Sequence, residues 1–299
     1  MNEIFLFANP IAGRGRGGGI SARIARQLRR AGFHARVFRC AIDDISDEEL
    51  ETDDPPAAAI TVGGDGTLRA VAQRLLEFSD HDASRVPPLL VVPLGTANLM
   101  ARHLKLAWND SEEEIVAAIE NQKIVALDAG RANEKLFLLM AGVGIDAAVV
   151  HELDRLRSGP IDLTSYAMPA LLALQQYDYG SLRVEVDGRQ LLKHQPAMVF
   201  VGNVPEYGTG FPILTKAKSD DGMLDVCILP CRSRLDVLRL LMATATGDHL
   251  HEEGVIYTKG QSIRIESTQR VPLQIDGEAA GHTPIAIDLL PSRLRFIVP

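Results

Sequence analysis

Hydrophobic and polar positions alternate in two different rhythms along this chain. Up to about Asp128, short β-type apolar runs take turns with stretches of helical period. Ile4 to Ala8 reads as a strand, Ile20 to Ala31 as a helix with Ile24 and Leu28 on one face, and Ala35 to Phe38 as a second strand. A third strand, Ala58 to Val62, runs into a helix from Leu68 to Phe78. A fourth, Leu89 to Val92, precedes a helix from near Asn98 to about Leu104. Glu112 to Asn121 closes the series, with Ser111 placed to cap it. Strands alternating with helices predict a doubly wound, Rossmann-like α/β domain, a parallel sheet covered on both faces. Ligands of such sheets bind beyond the carboxyl ends of the strands, where three glycine-bearing loops fall.

After Asp128 the rhythm changes. Short β-type runs follow one another: Leu136–Ala141, Leu182–Val186, Met198–Val201, Leu224–Leu229, Ser262–Glu266, Leu273–Ile275, Ile285–Leu289 and Arg293–Val298. Asp187-Gly188 and Asp276-Gly277 supply hairpin turns between some of them. The pattern predicts an antiparallel β-sandwich or barrel-like domain, interrupted by helices over Thr164–Gln176 and Ser233–Thr244. The expected domains are residues 1–128 and 129–299, joined by a short boundary.

Composition narrows the class. The chain has 299 residues, 46% hydrophobic and 23% charged, as a globular protein with two cores does. No apolar run reaches the roughly 20 residues a membrane-spanning helix needs; the stretch from Leu136 to Val150 is broken by Gly142, Gly144 and Asp146. Ile4-Phe5-Leu6-Phe7 follows Glu3 directly, unlike a secretory leader, and Cys40, Cys227 and Cys231 form neither a metal-type cluster nor a disulfide framework. A cytoplasmic protein is expected, at most peripheral on the inner membrane face. A net charge of −8 argues against nucleic acid as a partner. Charge is uneven, however. Residues 1–40 hold eight arginines and one acid, and residues 41–54 hold eight acids. Most of these suit solvated faces, but Arg14 and Arg16 lie in a glycine loop.

The candidate chemistry begins at Gly63-Gly64-Asp65-Gly66-Thr67, between a strand and a helix. Glycines at such a turn let backbone N–H groups approach a phosphate, and the helix N-terminus adds partial positive charge. Asp65 would repel phosphate unless a divalent cation stood between them, directly or through water. The turn reads as a nucleotide-phosphate and magnesium site, although an ordinary βα unit could close with the same glycines.

Three further motifs accompany it: Asn9-Pro10 with its glycine loop, Pro93-Leu94-Gly95-Thr96-Ala97-Asn98, and Asp276-Gly277-Glu278. In this order and spacing the four resemble the diacylglycerol kinase catalytic-domain family. The nearest likeness is to soluble bacterial lipid kinases, with sphingosine and ceramide kinases more distant. The likeness covers nearly the whole chain. It implies an ATP- and Mg2+-dependent lipid kinase that transfers the γ-phosphoryl group to a lipid hydroxyl, diacylglycerol or a similar lipid alcohol. By the same resemblance Asn9, Gly63, Gly64, Gly66, Thr67, Gly95, Thr96 and Asn98 hold the nucleotide, and Asp65 acts through magnesium and its waters. Asp128 supports that network, Asp276 is the general base, and Glu278 is its neighbour on the nucleotide side. Asp221, with the Met223 backbone, matches a second, structural magnesium site.

Phosphoryl transfer to an alcohol needs positioning, charge neutralisation and removal of a proton, which gives these carboxylates independent sense. Asp65 is the alternative base, and Asp276 would equally suit an Asp-Gly hairpin with no chemistry. Tyr166 to Leu174 offers an apolar wall for a lipid or a helix packed on the sheet. Leu99 stands where many family members carry Asp, and Cys40 where relatives often carry Thr or Ser beside the nucleotide. The expected partners are a lipid substrate, a transient membrane contact and, as one option, a second copy of the chain. A kinase of a soluble acceptor such as NAD and a non-catalytic lipid or nucleotide sensor are the rival readings.

Overall fold

Buried positions in the computed structural model follow both rhythms. It describes residues 3–9, 15–108, 112–156, 167–208, 211–291 and 293–299. Loop residues 10–14 with Arg14, the proposed cap Ser111, and residues 164–166 with Tyr166 lie outside these. The chain divides into two units: residues 1–127 with 291–299, and residues 128–290.

The first unit is built on a six-stranded sheet in the order His34–Phe38, Glu3–Ala8, Ala58–Gly63, Leu89–Pro93, Leu294–Ile297, Ile124–Leu127. The first four strands pair in parallel. Consecutive residues of Ile4–Ala8 are all buried, as a strand covered on both faces requires. Ile4, Leu6, Ile60 and Val62 meet Ile24 and Leu28 of the helix Gly17–Arg30 and Ile115 and Ile119 of the helix Glu112–Asn121. Phe7 on the other parity stacks on Phe38 with ring centroids 4.7 Å apart.

The last strand departs from the expectation. Its alternation placed it in the β-rich domain, but Leu294–Ile297 pairs with Ile124–Leu127 antiparallel and with Leu89–Pro93 in parallel. Arg295 fastens it by donating to the carbonyls of Ser84 and Val86. Apolar alternation specifies a half-buried strand and is silent about which sheet takes it.

The second unit is a curled antiparallel sheet. Its organiser is the strand Arg189–Gly202, which pairs with Ser181–Val186 through its first part and with Met140–Val143 and Leu224–Pro230 through its last. Register shifts between Gln190 and Gln195 bend it from one pairing to the other. The sheet encloses Phe137, Val184, Val199, Val226, Ile263 and Ile287. Helices occupy Ala167–Gln176 and Arg234–Thr246, and a third, Ile145–Leu156, was not expected. Its β-branched Val149 and Val150 continue the apolar run of the preceding strand and mask the change of period.

Asp146, in the first turn of that third helix, is an uncompensated acid. Both carboxylate oxygens are sealed from solvent without a well-formed hydrogen bond, and so is the Gln274 amide nitrogen that faces them. The two side chains crowd the bare Cα of Gly142, where a Cβ would collide with both. Burial pushes the Asp146 carboxyl up to about 7, against smaller opposing contributions from the Ala147 N–H and the Gln274 amide. A carboxyl raised on folding stabilises the fold at low pH and loses that contribution as pH climbs through the folded value. Asp146→Asn should therefore be more stable than the parent at pH 8, with an advantage about 2 kcal/mol larger than at pH 5. Thermal or urea unfolding at both pH values checks this; an advantage independent of pH would contradict it.

Candidate active site

In the first unit, adjacent parallel strands Ala58–Gly63 and Leu89–Pro93 end side by side, with Leu94 N donating to Gly63 O over 2.8 Å. Each then enters a glycine turn, and the two turns touch. A Cβ on Gly95 would lie 2.7 Å from Gly64 Cα and 2.8 Å from Asn98 Oδ1. Only glycine permits backbones to pass this closely. Gly64, in extended conformation, caps the helix Asp65–Phe78, so the helix opens three residues earlier than its apolar period suggests and takes in Asp65, Gly66 and Thr67.

Asp65 faces the other turn. Its Oδ2 accepts Leu99 N at 2.9 Å and its Oδ1 accepts Met100 N at 3.0 Å, capping the short helix Leu99–His103. Burial raises its carboxyl, and the Met100 and Leu99 amides oppose the rise. Asn98 adopts a left-handed conformation, φ 47°, and closes its own loop. Its Oδ1 accepts Gly95 N at 2.8 Å, and its Nδ2 donates to Gly95 O at 2.7 Å. Thr67 covers Gly63, where a Cβ would meet Thr67 Oγ1 at 2.5 Å. Asn9 Nδ2 donates to that hydroxyl at 3.4 Å. Thr96 is exposed at the tip of its loop. The sequence-identified residues Asn9, Gly63–Thr67, Gly95 and Asn98 are thus one connected group. The Leu99 position contributes through its backbone N–H, which Asp would supply equally. Cys40 is exposed, just past the strand His34–Phe38.

In the second unit, Asp276 and Gly277 both have positive φ, 48° and 82°, as a two-residue hairpin between Pro272–Ile275 and Glu278–His282 demands. The Asp276 carboxylate turns back into a cradle of backbone amides. Oδ2 accepts Leu138 N, and Oδ1 accepts Leu139 N and Met140 N, each at 2.9 Å. Asp276 N returns a bond to Met140 O at 2.9 Å. Gln274 Oε1 accepts Gly277 N at 2.9 Å and so braces the turn. Glu278 opens the next strand, exposed.

Asp128 is buried some way along the same bonded chain. Leu139 O accepts Asn203 N at 3.0 Å, and Asn203 Nδ2 donates to Asp128 O at 2.9 Å. The Asp128 carboxylate in turn accepts Gly222 N at 2.7 Å. The Leu138–Met140 amides, Asn203 and Gln274 carry no mark in the sequence. Backbone donors carry no residue-type signal, and a lone Asn or Gln in a β-rich segment is unremarkable until its partners are known.

Asp221 has a cation partner within the chain. Lys259 Nζ lies 2.6 Å from Asp221 Oδ2 and 3.3 Å from Asp225 Oδ2. Asp225 also accepts the Tyr257 hydroxyl at 2.7 Å, and Asp221 Oδ1 accepts Met223 N at 3.2 Å. Burial works against the Lys259 charge, but the two carboxylates outweigh it and raise its pKa. The resemblance offers Asp221 and Met223 to a magnesium ion; here one ammonium stands beside two carboxylates and offsets one of their two charges. Among the described residues no group of three or more His, Cys, Asp or Glu side chains is arranged to hold a metal directly.

The proposed lipid wall is split between core and surface. Ala173 is buried, whereas Met168 and Leu171 stand exposed on the helix Ala167–Gln176. No helix among the described residues is long and apolar enough to cross a membrane.

Comparison with known proteins agrees with both halves of this arrangement. The profile of the diacylglycerol kinase catalytic domain matches residues 3–132, and that of the YegS C-terminal NAD kinase beta sandwich-like domain matches residues 140–298. A diacylglycerol kinase of Staphylococcus carnosus is 25% identical over 295 residues, covering 97% of this chain and 93% of the relative. One from Bacillus subtilis is 24% identical over 302 residues, covering 100% and 97%. A crystal structure of a diacylglycerol kinase from Bacillus anthracis shares the fold, with a TM-score of 0.72 at 24% identity over 100% of this chain and 97% of that one. The chain belongs to the diacylglycerol kinase catalytic-domain family, kinases that transfer phosphate to an alcohol.

Proposed function

We propose that this protein is an ATP- and magnesium-dependent lipid kinase that transfers the γ-phosphoryl group to the hydroxyl of diacylglycerol or a similar lipid alcohol. The observation that carries the nucleotide half is the contact of the Gly64 and Gly95 turns at the carboxyl ends of adjacent parallel strands. Bare Cα atoms and a helix N-terminus there suit a phosphate chain. Asn9, Gly63, Gly66, Thr67, Thr96 and Asn98 are proposed to hold the nucleotide in the first unit; Glu278 lies in the second unit, beside Asp276 in sequence.

Asp65 fits a magnesium ion through water rather than directly. Its oxygens are hard donors, but both are already oriented by Leu99 and Met100 amides. The ion would supply charge neutralisation to the phosphates. Asp221 and the Met223 backbone are proposed for a second, structural magnesium ion, which would add to the Lys259 ammonium against the Asp221 and Asp225 carboxylates. Asp276 is proposed to take the proton of the acceptor hydroxyl, with its carboxylate aimed by three amides and a braced turn. Asp128 supports that turn from behind through Asn203 and Leu139. The lipid acceptor rests on the family. A second reading, a soluble dinucleotide acceptor, is favoured by the NAD-kinase-like description of the profile that matches the second unit.

Incubation with labelled ATP and either dispersed diacylglycerol or NAD separates the two: labelled lipid is expected, and labelled NAD without labelled lipid would overturn the choice. Asp276→Asn should keep ATP affinity and lower kcat by about two orders of magnitude or more; near-full turnover would remove Asp276 as the base. Asp65→Asn should lower turnover and its response to magnesium together, read by titrating the ion at saturating ATP. Gly95→Ala places a methyl group against Gly64 Cα. It should weaken ATP binding and cost about 1–3 kcal/mol of stability, measured by calorimetry and by thermal unfolding with and without ATP.

A further inference from the structure

Gln274 ties the Asp276 turn to a buried acid that the proposed chemistry does not use. Its side chain is fully buried in the strand Pro272–Ile275. One end of its amide is committed to the turn, where Oε1 accepts Gly277 N at 2.9 Å. The other end, Nε2, faces Asp146 across the bare Cα of Gly142. A Cβ there would lie 2.5 Å from Gln274 Nε2 and nearer still to Asp146 Oδ2, so only glycine leaves the two side chains room. The strand that carries this gap, Met140–Val143, pairs with Pro272–Ile275 and also supplies the Met140 amide that holds Asp276. Asp146, Gln274 and Gly277 therefore stand in one line that ends beside Asp276.

Sealing a carboxylate from water without a well-formed hydrogen bond is unfavourable, and asparagine would fill the same space at less cost. What a carboxylate adds is a fixed direction for the Gln274 amide. Gly277 N–H only donates and requires Oε1. An ionised carboxylate only accepts and requires Nε2. The two demands agree, and the amide has one orientation. A protonated Asp146 can also donate. Its O–H then competes for Oε1, which turns Nε2 toward Gly277 N–H, donor against donor, and releases the turn. Burial raises the Asp146 carboxyl to about 7, so this exchange falls near neutral pH.

Other titratable groups approach Asp146 from the elements packed on its helix, Ile145–Leu156. The strands Met140–Val143 and Pro272–Ile275 and the helix Ala167–Gln176 bring none. Tyr177, just past that helix, has a buried hydroxyl without a partner; burial and then the Asp146 charge raise its pKa, so it stays neutral. On the strand Glu278–His282, Glu278 is exposed, and His282 stands 5.2 Å from His151, centroid to centroid. Burial, Arg270 and His151 lower the pKa of His282. His151 Nε2 lies 2.8 Å from Leu273 O. Its own helix adds Glu152, Asp154 and Arg155, and Arg155 pairs with Glu152 at 2.7 Å.

We propose that Asp146 is a positioning residue: through Gln274 it holds the Gly277 turn, and with it the Asp276 carboxylate, in the orientation that takes the acceptor proton. This rests on the reading of Asp276 as the base of a lipid kinase. The test follows the Gly277 amide by proton–nitrogen NMR between pH 5 and pH 8, without ATP or lipid. It also follows kcat over the same range with saturating ATP and a short-chain diacylglycerol in detergent. In the parent the Gly277 signal should move with a midpoint near 7. Parent kcat should fall by up to about tenfold from pH 8 to pH 6, the ratio of ionised Asp146 at the two. Asp146→Asn should remove both transitions and leave kcat below the parent value at pH 8, with KM for ATP unchanged. Gln274→Met should also lower kcat and remove its transition. Adding Asp146→Asn to it should change kcat no further while still raising the unfolding temperature at pH 8. A transition that persists in Asp146→Asn would belong to His151 or His282 and overturn the proposal. So would a parent without a Gly277 transition, or one whose Gly277 signal titrates while kcat stays flat. A Gly277 transition lost in Asp146→Asn, in a protein that phosphorylates no lipid, would leave the brace standing and remove the lipid-kinase reading instead.

Discussion

Carboxylates held by backbone amides from distant parts of the chain govern both candidate sites. Asp65 caps a helix that begins at Leu99, and Asp276 accepts the N–H groups of Leu138, Leu139 and Met140. Amide donors fixed by sheet and helix geometry cannot follow a side chain that moves, so they hold each acid in one orientation. A charge-assisted bond to an amide is also stronger than a neutral one. In each unit the backbone that orients the acid comes from a different element than the acid itself. The site therefore exists only when both elements are folded.

The sheets make those encounters possible. Parallel pairing of Ala58–Gly63 with Leu89–Pro93 brings two turns to the same edge, where glycine lets them touch. Antiparallel pairing of Met140–Val143 with Pro272–Ile275 sets the Leu138–Met140 backbone beside the Asp276 turn. Asn203, at the end of the strand Arg189–Gly202, then links this turn to Asp128. A catalytic arrangement grafted on such a frame needs few dedicated side chains, which is why much of its support is backbone.

Surface and interior carry the remaining tension in the second unit. Asp146 is shut away without a well-made partner, and the leucines of Arg234–Thr246 are left in water. Both depart from the simple partition of polar outside and apolar inside that the rest of the unit obeys. Departures of this kind are expected where a fold serves more than its own stability.

Several features were legible in the sequence because they depend on local rules. Period decides strand or helix, so the α/β half, the β-rich half and the helix Glu112–Asn121 follow from apolar spacing. Left-handed turns favour Gly and Asn/Asp, so Asp276-Gly277 stands out, and the glycine turns stand out because close backbone approach needs a bare Cα. Tertiary structure decided what local rules leave open. Alternation in Leu294–Ile297 could not say that the strand joins the first sheet. The residues Val149 and Val150 hid a helix inside an apolar run. Nothing in the letters Leu138, Leu139 and Met140 marks them as amide donors, because every residue except proline carries the same N–H and only the fold aims it. The ammonium of Lys259 beside Asp221 is of the same kind: the charges are written in the sequence, 38 positions apart, but their meeting depends on which strands pair.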